Sequence, residues 1–311
     1  MPTAFIRKLE GSGPLPLSDT AFLREACSIA REVPARYDLI RDGDPPGPLF
    51  IMIEGWSCRY KLLPEGSRQI TAFLMPGDCC DLYASLLVEM DHSIMTLTPA
   101  RVAAVPRHAF EAEILRRPAL LRALWHMQLV DEGTLRAWIV SMGRRDSVRR
   151  VAHLMCELYV RARSIGLVTD QHFELPLTQT VLGDALGLTP VHVNRVLRRL
   201  RLENVMELRA GALMISDITK LAATAGFRCE LSPPPRAPCG LKRRTWSRSE
   251  HRSHHNQSRA HDDDCGGASI PSIRALVPIR RSCAGQIPSP GISRRVVRAS
   301  RHSGIATGSP Q

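Results

Sequence analysis

The chain has 311 residues, 44% hydrophobic and 23% charged, enough to bury the cores of two ordinary domains, so wholesale disorder is excluded. Neither the opening MPTAFIRKLEGSGPLPL nor any later stretch holds the apolar run of a signal peptide or membrane span, which predicts a cytoplasmic protein whose nine cysteines stay reduced. The formal charge of +12 is no evidence for nucleic acid, because residues 1–227 carry 27 Lys and Arg against 25 Asp and Glu while residues 228–311 carry 15 against 5.

Ser18 to Ala30 is predicted as a helix with Ser18 or Asp19 as its cap. From Arg31 to about Pro106, short β-type runs (LFIMIE, WSCRYKLL, SRQITAFL, ARVAAVP) alternate with turn chemistry. Strands this short at such regular spacing predict an antiparallel, jelly-roll-like β-roll, with Gly43, Gly55, Gly66 and Gly77 at its tight turns. Pro118 suits the first turn of a helix running to Met142, with Gly143 as terminator. Along it Leu121, Leu124, Gln128, Asp131, Leu135, Trp138 and Met142 alternate spacings of three and four, the seam of a helix that pairs with a partner helix. A helix that packs only on its own roll is the other reading of the same pattern. Asp146 is predicted to cap a further helix burying Val148, Val151, Ala152, Met155, Leu158 and Tyr159.

Residues 178–202, TQTVLGDALGLTPVHVNRVLRRLRL, carry the chemistry. Thr178 caps a first helix, Gly187-Leu188 turns the chain, and Thr189 caps a second helix with Pro190 at its first position. Val193, Val196, Leu197 and Leu200 face inward there, leaving Val191, Asn194, Arg195, Arg198 and Arg199 outward and His192 at the margin. Such a second helix can enter the major groove, where arginine bonds a guanine edge or phosphate and asparagine bonds adenine. Spacing alone also fits a helical hairpin with a solvated basic face. VMELRAGALMIS reads as a β-hairpin and ITKLAATAGF as a helix capped by Asp217, which together make the winged form.

A β-roll, a long helix and a winged helix-turn-helix containing ELPLTQTVLGDALGLTPVHVNRVLRRL together resemble transcription regulators of the Crp/Fnr superfamily. The resemblance covers about residues 15–227 and implies an α+β chain of four parts: a sensor roll resembling a cyclic-nucleotide-binding domain (15–117), a dimerisation helix (118–143), a winged helix-turn-helix (144–227) and a disordered basic tail (228–311). It implies a homodimer bound to double-stranded DNA at a promoter palindrome, with RNA polymerase as a further partner. Thr178, Gln179, Thr189, Val191, His192, Asn194, Arg195, Arg198 and Arg199 are the expected DNA-binding residues, and Leu121, Leu124, Leu135, Trp138 and Met142 the dimer residues. Val191 and Asn194 stand where many members place Glu and Ser or Gly, which implies a different half-site.

The sensing end departs further. Cyclic-nucleotide binders of the family place Gly-Glu after the PGD turn and Arg-Ser or Arg-Thr on the cyclic phosphate, where this chain has Asp81-Leu82 and Met90-Asp91. Cyclic AMP is therefore not expected as effector, although Arg59, Lys61 and Arg68 on neighbouring strands could bring a cation from another side.

No cofactor or metal is expected. Only Cys27 precedes residue 50, which argues against an iron-sulfur cluster, and adjacent Cys79-Cys80 suit core packing better than chelation. His92 and His108 stand alone in the roll, and the motifs of hydrolases, phosphate loops and dinucleotide binding are absent, so no enzyme is expected. The competing class is a ligand-sensing module whose helical end docks a protein. Of the 84 residues after Phe227, 29 are Pro, Gly or Ser, and Trp246 is the one aromatic. That composition predicts a disordered basic arm or an out-of-frame extension.

Overall fold

The computed structural model describes residues 3–227; the expectations for the basic tail lie outside them. Helix α1 (Ala4–Glu10) starts at Thr3, whose hydroxyl accepts from the Ile6 amide, and helix α2 (Leu17–Ser28) follows. The sequence reading missed α1 and began the sensor at residue 15. It also misplaced the cap of α2, which starts at Leu17 without a side-chain cap, and its end, since Ala30 already belongs to strand β1 (Ala30–Val33).

The roll continues through β2 (Asp38–Ile40), β3 (Leu49–Glu54), β4 (Ser57–Leu62), β5 (Arg68–Leu74), β6 (Cys79–Cys80), β7 (Ser93–Thr96) and β8 (Ala100–Val105). Two four-stranded antiparallel sheets, ordered β1-β8-β3-β6 and β2-β7-β4-β5, enclose a core that includes Phe50, Met52, Met90, Ile94 and Val102. The predicted runs are β3, β4, β5 and β8; β2, β6 and β7 are too short to carry a periodic signal. Gly77 takes φ +92°, and a Cβ there would stand 2.8 Å from the Ala4 backbone. Only glycine lets the turn before β6 close against α1.

Helices α3 (Arg107–Leu115) and α4 (Pro118–Arg144) lead out of the roll. Leu120, Ala123, Leu124 and Met127 of α4 share a buried cluster with Phe5, Ile6 and Leu9 of α1. Gly143 does not terminate α4 as expected: the helix runs through it to Arg144, and the chain breaks at Arg145, whose φ and ψ are extended, just before Asp146 caps α5 (Ser147–Ser164). A glycine ends a helix when it takes the left-handed conformation, and Gly143 does not take it.

The rest is β9 (His172–Glu174), α6 (Gln179–Leu186), α7 (Pro190–Leu202), β10 (Met206–Arg209), β11 (Ala212–Ile215) and α8 (Ile218–Ala225). The predicted hairpin is β10-β11, turning through Ala210 and Gly211, both at positive φ, and β9 joins it as a third strand. The predicted inner face of α5 is buried at Val151, Ala152, Met155, Leu158 and Tyr159 and half-buried at Val148. No described helix is long and apolar enough to cross a membrane.

Candidate functional site

Two places concentrate the chemistry, an outward helical face and a cleft between roll and helices. Helix α6 is capped by Thr178, whose Oγ1 accepts from the Val181 amide at 3.2 Å, and it ends at Gly187 with φ +61°. Thr189 Oγ1 accepts from the His192 amide at 3.3 Å, and Pro190 opens α7. A Cβ on Gly183 would lie 2.5 Å from the Leu188 carbonyl, so the two helices approach this closely because that atom is missing.

Val193, Val196 and Leu200 fasten α7 to the core. Val191, Asn194, Arg195, Arg198 and Arg199 are exposed on one face, as expected, with Thr178, Gln179 and Thr189 exposed at the helix starts. Arg195 and Arg198 have no carboxylate partner among the described residues, whereas Arg199 Nε reaches Glu203 at 2.7 Å. His192 is half-buried, its Nε2 3.0 Å from Ser147 Oγ at the start of α5, and thus anchors α7 to α5. This face offers exposed cations, an amide and an apolar side chain on a helix whose other side is packed on the core, the equipment for reading a base-pair edge.

The cleft has a volume of about 490 Å³. Arg59 and Lys61 of β4, Thr71 to Leu74 of β5, Asp78, Asp81, Asp91 and His92 from the loops, Gln128, Asp131, Glu132, Thr134 and Leu135 of α4, and Arg161 of α5 wall it. Among the expected pocket residues Arg59, Lys61, Asp81 and Asp91 therefore come together. Leu82 and Met90 do not: both are apolar and buried in the core of the roll. Arg68 also departs from expectation, because it lies at the far end of β5 and pairs with Asp184 of α6 at 2.6 Å.

Each cation on the cleft wall is already engaged. Arg59 meets Asp81 at 2.7 Å, His92 meets Asp81 at 2.9 Å and Asp91 at 2.6 Å, and Lys61 meets Asp42 at 2.8 Å and the Asp91 carbonyl. Burial pulls the His92 pKa down, but its hydrogen bond and attraction to Asp81 outweigh this and hold it above the ordinary value. Asp81 sits at φ +55°, a strained region for a residue with a side chain. Arg107, itself buried, holds that conformation by donating to the Asp81 and Leu82 carbonyls and to those of Gly47 and Pro48. At the cleft floor Arg161 reaches Asp78 at 2.7 Å and Glu157 at 3.0 Å, and Lys8 reaches Asp78 at 2.6 Å. Burial would raise the Asp78 carboxyl, yet Lys8 and Arg161 hold it below the usual carboxylate range.

Sequence reasoning missed this floor and the α4 wall. The available signal was Glu157, a carboxylate inside the apolar face of α5 with Arg161 one turn on. His92, expected to stand alone, is part of the wall. Cys79 and Cys80 are buried, and burial pushes the Cys79 thiol up to about 12. Among the described residues no group of three His, Cys, Asp or Glu is placed to hold a metal ion.

The outer face of α4 differs from the expected seam. Leu124 and Trp138 are buried within the chain, Leu121 and Met142 are half-buried, and Leu135 alone of the five is exposed, beside the cleft. Trp125, Leu129, Ile139 and Val140 form the exposed apolar stripe, with Ile139 64% exposed. That stripe lies about a quarter turn round the helix from the predicted seam. Packing onto α1 and the roll rotates the helix in this way, and α1 was the missed element.

The cyclic nucleotide-binding domain model matches residues 30–117, and the Crp-like helix-turn-helix domain model matches residues 149–224. The nitrogen fixation regulation protein FixK of Bradyrhizobium diazoefficiens is 27% identical over 209 residues, 67% of this chain and 87% of that protein. The transcriptional activator protein Anr of Pseudomonas aeruginosa is 25% identical over 220 residues, covering 70% and 90%. Among solved structures, FixK2 from Bradyrhizobium japonicum shares the fold with a TM-score of 0.57 at 23% identity, over 63% of this chain and 96% of that one.

Proposed function

We propose that this chain, which belongs to the Crp/Fnr family of transcription regulators, acts as a cytoplasmic homodimer that reads an inverted repeat in promoter DNA through α7 and contacts RNA polymerase there. The observation that carries the reading is the exposed row Val191, Asn194, Arg195 and Arg198 on a helix whose opposite face buries Val193, Val196 and Leu200. Arg195 bonds a guanine edge, Asn194 or Val191 reads a neighbouring base, and Arg198 and Arg199 hold phosphate. The exposed stripe on α4 supports pairing of two chains, which sets two reading helices one helical turn apart. The cleft is the effector site. Its cations are paired and its carboxylates outnumber them, which disfavours a cyclic phosphate. No cofactor is assigned.

Selection of binding sites from random DNA tests the reading. A palindrome with half-sites about one helical turn apart is expected, bound with an affinity that falls steeply with salt. Recovery of no palindrome, or of salt-insensitive binding alone, would favour a protein-docking module instead.

A further inference from the structure

Arg150, half-buried in the first turns of α5, reaches back and across at once. One terminal nitrogen donates to the carbonyl of Leu186, the last residue of α6, at 2.6 Å. The other donates to the carbonyls of Met142, in the last turn of α4, and of Arg145, where the chain is extended, both at 3.2 Å. Carbonyls in the last turn of a helix have no partner within it and carry the negative end of its dipole. A single guanidinium thus caps the ends of α4 and α6 together with the residue that joins α4 to α5. Its Nε is buried without a partner among the described residues, so the three carbonyls alone orient it. Two terminal nitrogens in one rigid plane are needed for this, which an ammonium, a single point of charge, does not supply. The joint is closed on a second side as well. Gly187 is at φ +61°, and a Cβ there would stand 2.6 Å from the Met142 methyl, so the turn between α6 and α7 rests on the end of α4.

We infer that Arg150 is the positioning residue that fixes the helix-turn-helix against the end of α4, and so determines which spacing between half-sites a dimer accepts. The inference rests on α7 as the DNA-reading helix and on α4 as the helix that pairs two chains. In a two-fold dimer the same displacement occurs at both joints, so it acts twice on the separation of the reading helices. One base pair more or fewer moves a half-site by about 3.4 Å and turns it by about 35°. A joint held more closely than that makes the accepted spacing sharp, and a loose one makes it tolerant.

The test titrates the full chain against duplexes that carry the selected half-sites at the selected spacing and at one and two base pairs more or fewer. Wild type is compared with Arg150→Lys, which keeps the charge but not the fork, and with Arg150→Gln. Wild type should lose at least about tenfold in affinity for a step of one base pair in either direction. Both variants should bind the selected spacing more weakly, and for them the same step should cost about threefold or less, with the slope of affinity against salt unchanged. A phosphate contact would instead reduce that slope in Arg150→Gln and spare Arg150→Lys. Mere loss of stability would weaken all spacings by one factor. Either of these results, or a wild type indifferent to spacing, overturns the inference. A wild type that selects no palindrome overturns the reading on which the inference rests, whereas a sharp wild-type spacing that both variants keep overturns the role of Arg150 alone.

Discussion

His153 and Phe227 meet edge-on, with ring centroids 5.1 Å apart and planes at 64°. The Phe227 amide also donates to the Ala222 carbonyl, so the last described residue closes the winged half instead of trailing from it. A chain ending at Phe227 should unfold cooperatively and select the same DNA as the full chain, while Phe227→Ala should lower stability by roughly 1–2 kcal/mol. Urea unfolding of the three chains checks this.

The same histidine predicts an acid limb. Burial, then repulsion from Arg145, lowers the His153 pKa from 6.5 to about 4. The unfolded chain therefore takes up this proton more readily, so stability should fall as pH drops from about 6.5 to about 4, by up to about 3 kcal/mol, and level off below. His92 has the opposite sign: its raised pKa favours the folded state at low pH, an advantage lost as pH rises through that value. Unfolding followed from pH 4 to 7 should show a shallower limb in His153→Gln than in wild type.

On the reading helix, Arg195→Ala should cost about 1–3 kcal/mol of specific binding and relax one base position. Arg199 is shared with Glu203 through an exposed pair one turn apart. Arg199→Ala should weaken all sequences alike, and Glu203→Gln should strengthen non-specific binding at low salt. Titrations of matched and mismatched sites at two salt concentrations separate these effects.

The stripe on α4 predicts assembly. Ile139→Glu places a charge near the C-terminal end of that face, one turn beyond the Arg136–Glu132 pair, without touching the chain's own core. Sedimentation should shift from dimer to monomer, and binding to the palindrome should fall at least about tenfold with helicity unchanged.

Calorimetry with cyclic AMP and cyclic GMP should give no micromolar heat of binding, because a buried phosphate would face Asp81 and Asp91 with the neighbouring cations already paired. Binding abolished by Arg59→Ala would show that the cleft rearranges to free that guanidinium.

Legibility tracked the length of the local pattern. The helix-turn-helix was readable almost residue by residue, since Thr178, Gly187, Thr189 and Pro190 are local signals bracketing a 3.6-residue period. The cleft was not, because its walls meet across the chain: Asp78 finds Arg161 and Lys8, and Arg68 finds Asp184, through packing that no window of sequence contains. The burial of the helix seam was illegible for the same reason: Leu124 packs with α1, whose seven residues are too few for a periodic signal, and Trp138 with Phe73 and Glu157.

Helix α1 changes what counts as the front of the working protein. Phe5, Ile6 and Leu9 are each at most 1% exposed, and Lys8 stands on Asp78 under the cleft. A start codon assigned beyond Lys8 would take away a wall of the core and one of the two cations neutralising Asp78. Such a preparation keeps each recognisable motif of the chain. Its cleft would nonetheless have a different floor, and ligand screens run on it would be screening another pocket.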